Sequence, residues 1–263
     1  MTDALTHDDN RTDALDLHGR TALITGGGVG IGAGIAEELA GRGARVIVTY
    51  QSHEPDEAAL ARLRTPDGLE ATAVRVDLTS EDEVQQLGDT IAELGRLDIL
   101  VHNAGGLLQR STIAEMSYSL FRSVQALNVD SVFLVTRRML PLMGRGGRIV
   151  TVASLAGRTG GHAGATAYAT AKAALFGFTR GLAAEIAASG ITVNAVAPGF
   201  IEATPFHDTF TAADSKAKTI SGIPVGRAGR PADIASAVAW LVSPGASFTT
   251  GVVLDVNGGQ YFS

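Results

Sequence analysis

Cysteine is absent from the 263 residues, which excludes disulfides, thiolate nucleophiles and thiolate-ligated zinc. A basic surplus is absent too: 21 Lys and Arg face 27 Asp and Glu, leaving a net charge of −6 at pH 7. No cluster of cations interleaves with aromatics, so nothing is suited to neutralise a phosphate backbone, and a nucleic-acid partner is not expected. Long apolar runs are missing, and residues 1–18 are polar and acidic, unlike a secretory signal. The expectation is a cytoplasmic protein with no membrane partner. His7, His18, His53, His102, His162 and His207 show no ligand spacing among themselves or with carboxylates, so no metal site is assigned. Glycine, by contrast, is plentiful at 32 residues, above the ordinary ~7%. Tight turns and close backbone approaches are implied.

From Arg20 onward, short runs rich in β-branched residues alternate with amphipathic stretches. The runs are Arg20–Thr25, Arg45–Tyr50, Ala71–Asp77, Leu97–Asn103, Gly147–Ala153, Ile191–Val196 and Val252–Val256. Between them Ile31–Gly41, Glu81–Leu94, Ser117–Met143 and Tyr168–Ala188 read as helices. This βαβ alternation predicts an α/β fold, a doubly wound sheet of seven parallel strands with helices on both faces. With no repeat and no linker, residues 18–263 read as one domain, preceded by a loosely ordered or disordered extension over 1–17. Residues 199–230 lack strand character and carry Phe200, Ile201, Phe206, Phe210 and Ile220 among polar residues and glycines. That pattern suits a helical lid over a substrate, or an ordinary helical excursion packed on the core.

Leu23-Ile24-Thr25 runs into Gly26-Gly27-Gly28-Val29-Gly30-Ile31-Gly32 and then into a helical pattern, the order of strand, glycine turn and helix that a dinucleotide site requires. Glycine lets the backbone approach a pyrophosphate, and the helix start offers unpaired N–H groups and a positive dipole end. No Gly-Lys-Ser/Thr follows, which argues against a nucleotide-hydrolysing loop. At the end of the second run, where a carboxylate would bind the free 2′-hydroxyl of NAD, the chain has Tyr50. Gln51, Ser52 and His53 could hydrogen-bond a 2′-phosphate, although this stretch has no Lys or Arg to pair with its charge. The balance favours NADP(H), with NAD(H) as the alternative. Asp77, in Val76-Asp77-Leu78, could accept from an adenine amino group or simply cap a turn.

Tyr168 and Lys172 stand four residues apart on one helical face, and Ser154 precedes Tyr168 by fourteen. A tyrosine titrates near ~10 and a fixed cation beside it favours phenolate, so the pair is a candidate to exchange a proton with an alcohol or ketone oxygen. Tyr and Lys at this spacing are also common on solvated faces. The other motifs weigh against that reading.

Together they resemble the short-chain dehydrogenase/reductase family, in its group with a Thr-Gly-x-x-x-Gly-Ile-Gly turn, here Thr25 to Gly32. The resemblance spans residues 18–263 and continues through Asn103-Ala104-Gly105, Asn128, Ser154, Tyr168-x-x-x-Lys172, Pro198-Gly199 and Asn257-Gly258-Gly259. It implies a Rossmann-type domain with a nicotinamide cofactor on Gly26, Gly30, Ile31 and Gly32. Tyr50, Gln51, Ser52, Asp77 and Leu78 would surround the adenosine, Asn103, Ala104 and Gly105 would lie beside the adenine half, and Pro198, Gly199, Ile201 and Thr204 would surround the nicotinamide. The implied reaction is hydride transfer between nicotinamide and a carbonyl or carbinol carbon. Ser154 would hold the substrate oxygen and Tyr168 exchange its proton, while Lys172 would bind ribose hydroxyls and lower the tyrosine pKa, and Asn128 fix a relaying water. A homotetramer is also implied, pairing through the two long helices and the C-terminal segment.

Within that family, Val193 to Glu202 and Val256 to Gly259 resemble bacterial 3-oxoacyl carrier-protein reductases. Two arginines that those enzymes place near the site for the acidic carrier are replaced by Leu134 and Ala184, with Arg137, Arg138 and Arg180 nearby. The simplest inference is a small or medium-sized apolar ketone, or the matching alcohol, met by Leu107, Leu108, Phe200 and Phe206. The alternatives are an NAD-dependent secondary-alcohol or sugar dehydrogenase, a carrier-protein-linked 3-oxoacyl substrate, and a nucleotide-sensing protein without turnover. No catalytic residue is missing, which argues against the last. Gly157–Gly164 and Glu202–Thr204 each run one residue longer than the usual family spacing, where the substrate pocket should lie. His162, in the first of these, is weighed as a substrate contact or a solvent-exposed loop residue.

Overall fold

The computed structural model describes residues 16–204 and 213–263. Seven strands form one sheet: β1 (Thr21–Ile24), β2 (Arg45–Tyr50), β3 (Thr72–Arg75), β4 (Leu97–His102), β5 (Met143–Val152), β6 (Thr192–Pro198) and β7 (Val253–Val256). Their order is β3-β2-β1-β4-β5-β6-β7, and every neighbouring pair is parallel. Strands buried on both faces read as continuous apolar runs, with alternate residues taking opposite sides. Along β1, Ala22 and Ile24 enter the core shared with α1 (Gly30–Gly41) and α9 (Pro231–Val242). Leu23 between them enters the opposite core, under α3 (Glu81–Glu93), α5 (Ser131–Met139) and α7 (Thr166–Ile186). The order reverses between β1 and β4, and the carboxyl ends of strands flanking such a reversal form the natural crevice for a ligand. Beside these lie α2 (Glu57–Arg62), α4 (Tyr118–Gln125), α6 (Ala156–Thr159) and α8 (Ala213–Ser221).

The structure moves three sequence boundaries. Leu17 is buried and donates its N–H to the Arg42 carbonyl at 2.9 Å, so the fold reaches into the extension expected over 1–17, of which residues 1–15 lie outside the described residues. The single helix expected over Ser117–Met143 is α4, a π turn at Ala126–Asp130, α5 and a 3₁₀ turn at Leu140–Leu142. Pro141 sits at the start of that last turn, and Met143 already belongs to β5. In the 199–230 segment, Phe206 and Phe210 lie outside the described residues. Phe200, Ile223 and Ala228 form a small buried cluster with Ile220 packed on it, and Ile201 bridges Gly229, so both ends of the excursion close onto the body. Among the described residues no helix is long and apolar enough to cross a membrane.

Candidate active site

The strand ends open into one cavity of about 1050 Å³, running from the glycine turn at Gly26 to Ser154, Tyr168 and Pro198. Gly26 and Gly30 hold φ of +64° and +56°, the left-handed region that glycine alone enters freely. A Cβ on Gly32 would stand 2.2 Å from the Gly26 carbonyl oxygen, so Gly32 lets α1 begin against the turn; unlike its neighbours it does not line the cavity. The N-cap of α1, Val29, offers no side-chain acceptor, and Gly28, Val29, Gly30 and Ile31 face the cavity. Uncapped N–H groups at the start of a twelve-residue helix are the donors a pyrophosphate requires, so the residues present fit a dinucleotide. The turn is braced from two strands. Thr25 Oγ1 accepts from the Asn103 and Ala104 N–H groups at 3.0 and 3.1 Å, Asn103 Nδ2 donates to the Gly26 carbonyl at 2.9 Å, and Thr49 Oγ1 accepts from the Gly26 N–H at 3.1 Å.

Tyr50, Gln51, Ser52 and His53 line the end of the cavity beside β2, with Asp77 and Leu78 alongside. A cation stands on the neighbouring strand, outside the cavity lining. Arg75 is in register with Tyr50 and donates through Nε to the Gln51 carbonyl at 3.3 Å. Burial, then a hydrogen bond to Glu54, raises the Tyr50 pKa, and Arg75 opposes that shift. Asp77 is engaged locally, Oδ1 accepting from the Thr79 N–H and hydroxyl at 2.9 and 2.7 Å, while it also lines the cavity.

At the other end, α7 presents Tyr168 and Lys172, and β5 delivers Ser154 opposite them. The Ser154 hydroxyl hydrogen-bonds the Tyr168 phenol. Lys172 is buried, donates to the Val152 carbonyl at 2.9 Å and lies 5.6 Å from the centroid of the Tyr168 ring. Burial, rather than the nearby ammonium, dominates the titration of both groups. Burial pushes the Tyr168 phenol up to about 12, only partly offset by Ser154, and burial brings Lys172 down to about 8. Desolvation of both groups outweighs their mutual influence because the ammonium is directed at a carbonyl. Asn128 sits in the π turn, fully buried and behind the cavity wall rather than in it. Its Oδ1 accepts from the Gly106 N–H at 3.1 Å, and its Nδ2 donates to the Gly106 and Val124 carbonyls at 2.8 and 2.9 Å. Both amide hydrogens are thus committed to the main chain, fixing the loop that carries Asn103, Ala104 and Gly105.

A family profile described as enoyl-(acyl carrier protein) reductase matches residues 27–260. The chain belongs to the short-chain dehydrogenase/reductase family. It is 41% identical over 250 residues to the 3-oxoacyl-[acyl-carrier-protein] reductase FabG of Haemophilus influenzae, covering 94% of this chain and 100% of that protein. The Escherichia coli FabG is 39% identical, over 94% of this chain and 99% of its own. Among solved structures, a dehydrogenase/reductase from Sinorhizobium meliloti superposes with a TM-score of 0.86 at 36% identity, covering 95% of this chain and 98% of that one. A Burkholderia cenocepacia short-chain dehydrogenase in complex with NADP gives 0.85 at 35% identity, covering 93% and 98%.

In this short-chain dehydrogenase/reductase the cavity is also lined by Pro198, Gly199, Phe200, Ile201 and Thr204, and by Leu107, Arg110 and His162. Leu108, expected there, instead has φ +61° and points outward, 46% exposed. Gln260, which no sequence motif signalled, lines the cavity and accepts from the Phe200 N–H at 2.9 Å, tying the C-terminal segment to the loop after β6. Arg137 pairs with Glu81 and stacks on Phe133 at 5.5 Å, and Arg138 binds Asp89 at 2.6 Å. Both arginines are therefore engaged on α3 or its own helix, away from the cavity lining.

Proposed function

We propose that this oxidoreductase is an NADP(H)-dependent reductase of ketones, or dehydrogenase of the matching secondary alcohols, acting on small or medium-sized substrates. The observation that carries the reading is one uninterrupted cavity that begins at an uncapped helix start and ends at Ser154, Tyr168 and Lys172. Bound nicotinamide would supply or accept the hydride. The chain's part is to handle the oxygen: Ser154 holds it by hydrogen bond, and Tyr168, a neutral phenol at pH 7, donates the proton that completes the alcohol. Lys172 stands behind the phenol as cation and ribose ligand. With the Asn128 side chain committed to Gly106 and Val124, a water relay there would use its main-chain carbonyl. Arg75, held at the Gln51 carbonyl beside the ribose end of the cavity, would supply charge for a 2′-phosphate, which favours NADP(H) over NAD(H).

A second reading, a 3-oxoacyl thioester as the ketone, is favoured by the FabG relatives. Leu134 and Ala184 replace the carrier-facing arginines, and Arg137 and Arg138 are committed to acidic partners, which favours a thioester presented without carrier docking at those positions. The homotetramer is retained as part of the proposal because Phe133, Trp240 and Phe248 are 49%, 42% and 102% exposed, and light scattering after gel filtration reports it directly.

The test is fluorescence titration with NADPH and then NADH, followed by NADPH oxidation with simple ketones, acetoacetyl-coenzyme A and a carrier-protein thioester. Tighter NADPH binding and turnover of a free ketone support the first reading. Turnover confined to thioesters moves the assignment to the second, and preference for NADH overturns the cofactor assignment.

A further inference from the structure

Ser154 is followed at once by α6, a single turn whose orientation determines where the serine hydroxyl lies. The Ala156 N–H donates to Ser154 Oγ at 3.1 Å, the Gly157 N–H donates to the Ser154 carbonyl at 3.0 Å, and the Leu155 N–H donates to the Pro198 carbonyl at 2.8 Å. On its inner side the turn has no slack. A Cβ on Gly157 would stand 2.9 Å from the Ala173 nitrogen, the Lys172 carbonyl carbon and Phe176 Cζ, so α6 presses against the stretch of α7 that carries Lys172.

Arg158 holds the other side. Its Nε and Nη2 donate to Asp255 Oδ1 and Oδ2 at 3.3 and 3.4 Å, Nη2 also donates to the Val253 carbonyl at 3.3 Å, and its guanidinium lies 4.6 Å from the centroid of the Phe176 ring. The two side chains are only 14% and 13% exposed, and neither lines the cavity. One guanidinium thus joins α6, α7 and β7 immediately behind Ser154. Just beyond it in the chain, Thr159, Gly161 and His162 form part of the substrate wall. A buried ion pair of this kind is a weak source of net stability, because desolvation offsets its attraction, but its two-pronged geometry fixes orientation closely.

We propose that Arg158 and Asp255 are a positioning pair that sets the Ser154 hydroxyl, and the wall after it, against Tyr168. The claim rests on the reductase reading for the choice of assay. Arg158→Gln, Asp255→Asn, Arg158→Lys and the exchange Arg158→Asp with Asp255→Arg are compared with the parent enzyme, using a ketone that the parent reduces. Misplacement by ~1 Å can cost on the order of 100-fold in rate, so Arg158→Gln and Asp255→Asn are expected to lower kcat by roughly 10- to 100-fold. NADPH Kd should stay within about twofold, since the glycine turn and β2 are untouched. Arg158→Lys, which keeps the charge without the fork, and the exchange should each recover part of kcat.

Unchanged kcat in a folded variant that binds NADPH overturns the proposal, as does a loss of kcat that only follows the loss of folded protein. A parent enzyme inert towards every ketone would count instead against the reductase reading. The positioning claim is then decided by a crystal structure of Asp255→Asn: displacement of Ser154 Oγ relative to Tyr168 supports it, and an unmoved α6 overturns it.

Discussion

Asn128 satisfies both main-chain groups of Gly106, accepting from its N–H at 3.1 Å and donating to its carbonyl at 2.8 Å. The amide also fits tightly under the preceding residue: a Cβ on Gly105 would stand 2.6 Å from Asn128 Oδ1 and 3.1 Å from Lys172 Nζ. The π turn that carries Asn128 therefore links the helix between β4 and β5 to the loop beside the dinucleotide cradle. Asn128→Ala leaves the part-buried main-chain groups of Gly106 without their side-chain partner and should cost on the order of 1–3 kcal/mol in urea unfolding. NADPH binding should weaken with it, because Asn103 to Gly105 lose their brace. An Asn128→Ala protein of parental stability and affinity would refute this account of the turn.

Arg75 tests the ribose end. Removing a charge-assisted contact to a phosphate typically loosens a ligand by about tenfold, so Arg75→Ala should raise NADPH Kd by roughly that factor and leave NADH Kd within about twofold. Equal weakening of both cofactors would mean that Arg75 shapes β2 through the Gln51 carbonyl rather than meeting the 2′-phosphate.

The seven strands were legible in the sequence because a parallel sheet covered on both faces leaves short apolar runs such as Ile99–Val101, inside a strand, Leu97–His102, whose six residues are all buried. The glycine turn and the Ser154, Tyr168 and Lys172 trio were legible because local spacing carries them, and the structure brings them to one cavity. Arg75 was not, because its place beside Tyr50 comes from strand pairing across 25 residues of chain, which no local pattern encodes. Gln260 was hidden for the same reason, its partner Phe200 lying 60 residues away. The π turn escaped because its residues keep a helical pattern, and what distinguishes it is a main-chain bond across five residues, from the Ser131 N–H to the Ala126 carbonyl. Spacing shows that a cation is near Tyr168 but not that both groups are buried, and that burial is what raises the phenol and lowers the ammonium.

His102, at the end of β4, is buried and shares a 2.8 Å hydrogen bond between Nε2 and the Thr136 hydroxyl on α5. Burial lowers its pKa from 6.5 to about 3, so between these values the unfolded chain binds a proton that the folded chain refuses. The stability it contributes is therefore present above pH 6.5 and lost as the pH falls towards 3, at up to about 1.4 kcal/mol per pH unit. His102→Gln, which keeps a polar atom near Thr136 without the titration, should flatten the decline in urea-unfolding free energy between pH 6 and pH 4, a window inside the cited range. An unchanged slope would assign acid sensitivity to other groups.

The states of Tyr168 and Lys172 set the direction of the pH profiles. With its pKa pushed up to about 12, the Tyr168 phenol stays protonated throughout the working range, ready to donate to a reduced carbonyl oxygen. Lys172, brought down to about 8, is cationic at pH 7 and loses its charge as the pH rises through that value. Ketone reduction should therefore be nearly flat below neutrality and fall above pH ~8, where the cation that holds the ribose is lost. Alcohol oxidation requires phenolate, so its rate should rise with pH up to about 8 and level off above it, where the same ribose-holding cation is lost. Tyr168→Phe removes the proton in both directions and should lower both rates by about 10²–10⁴-fold while NADPH still binds. Steady-state kinetics from pH 6 to pH 9.5 check both signs. A reduction rate that climbs with pH would show that the protonated Tyr168 phenol is not the donor.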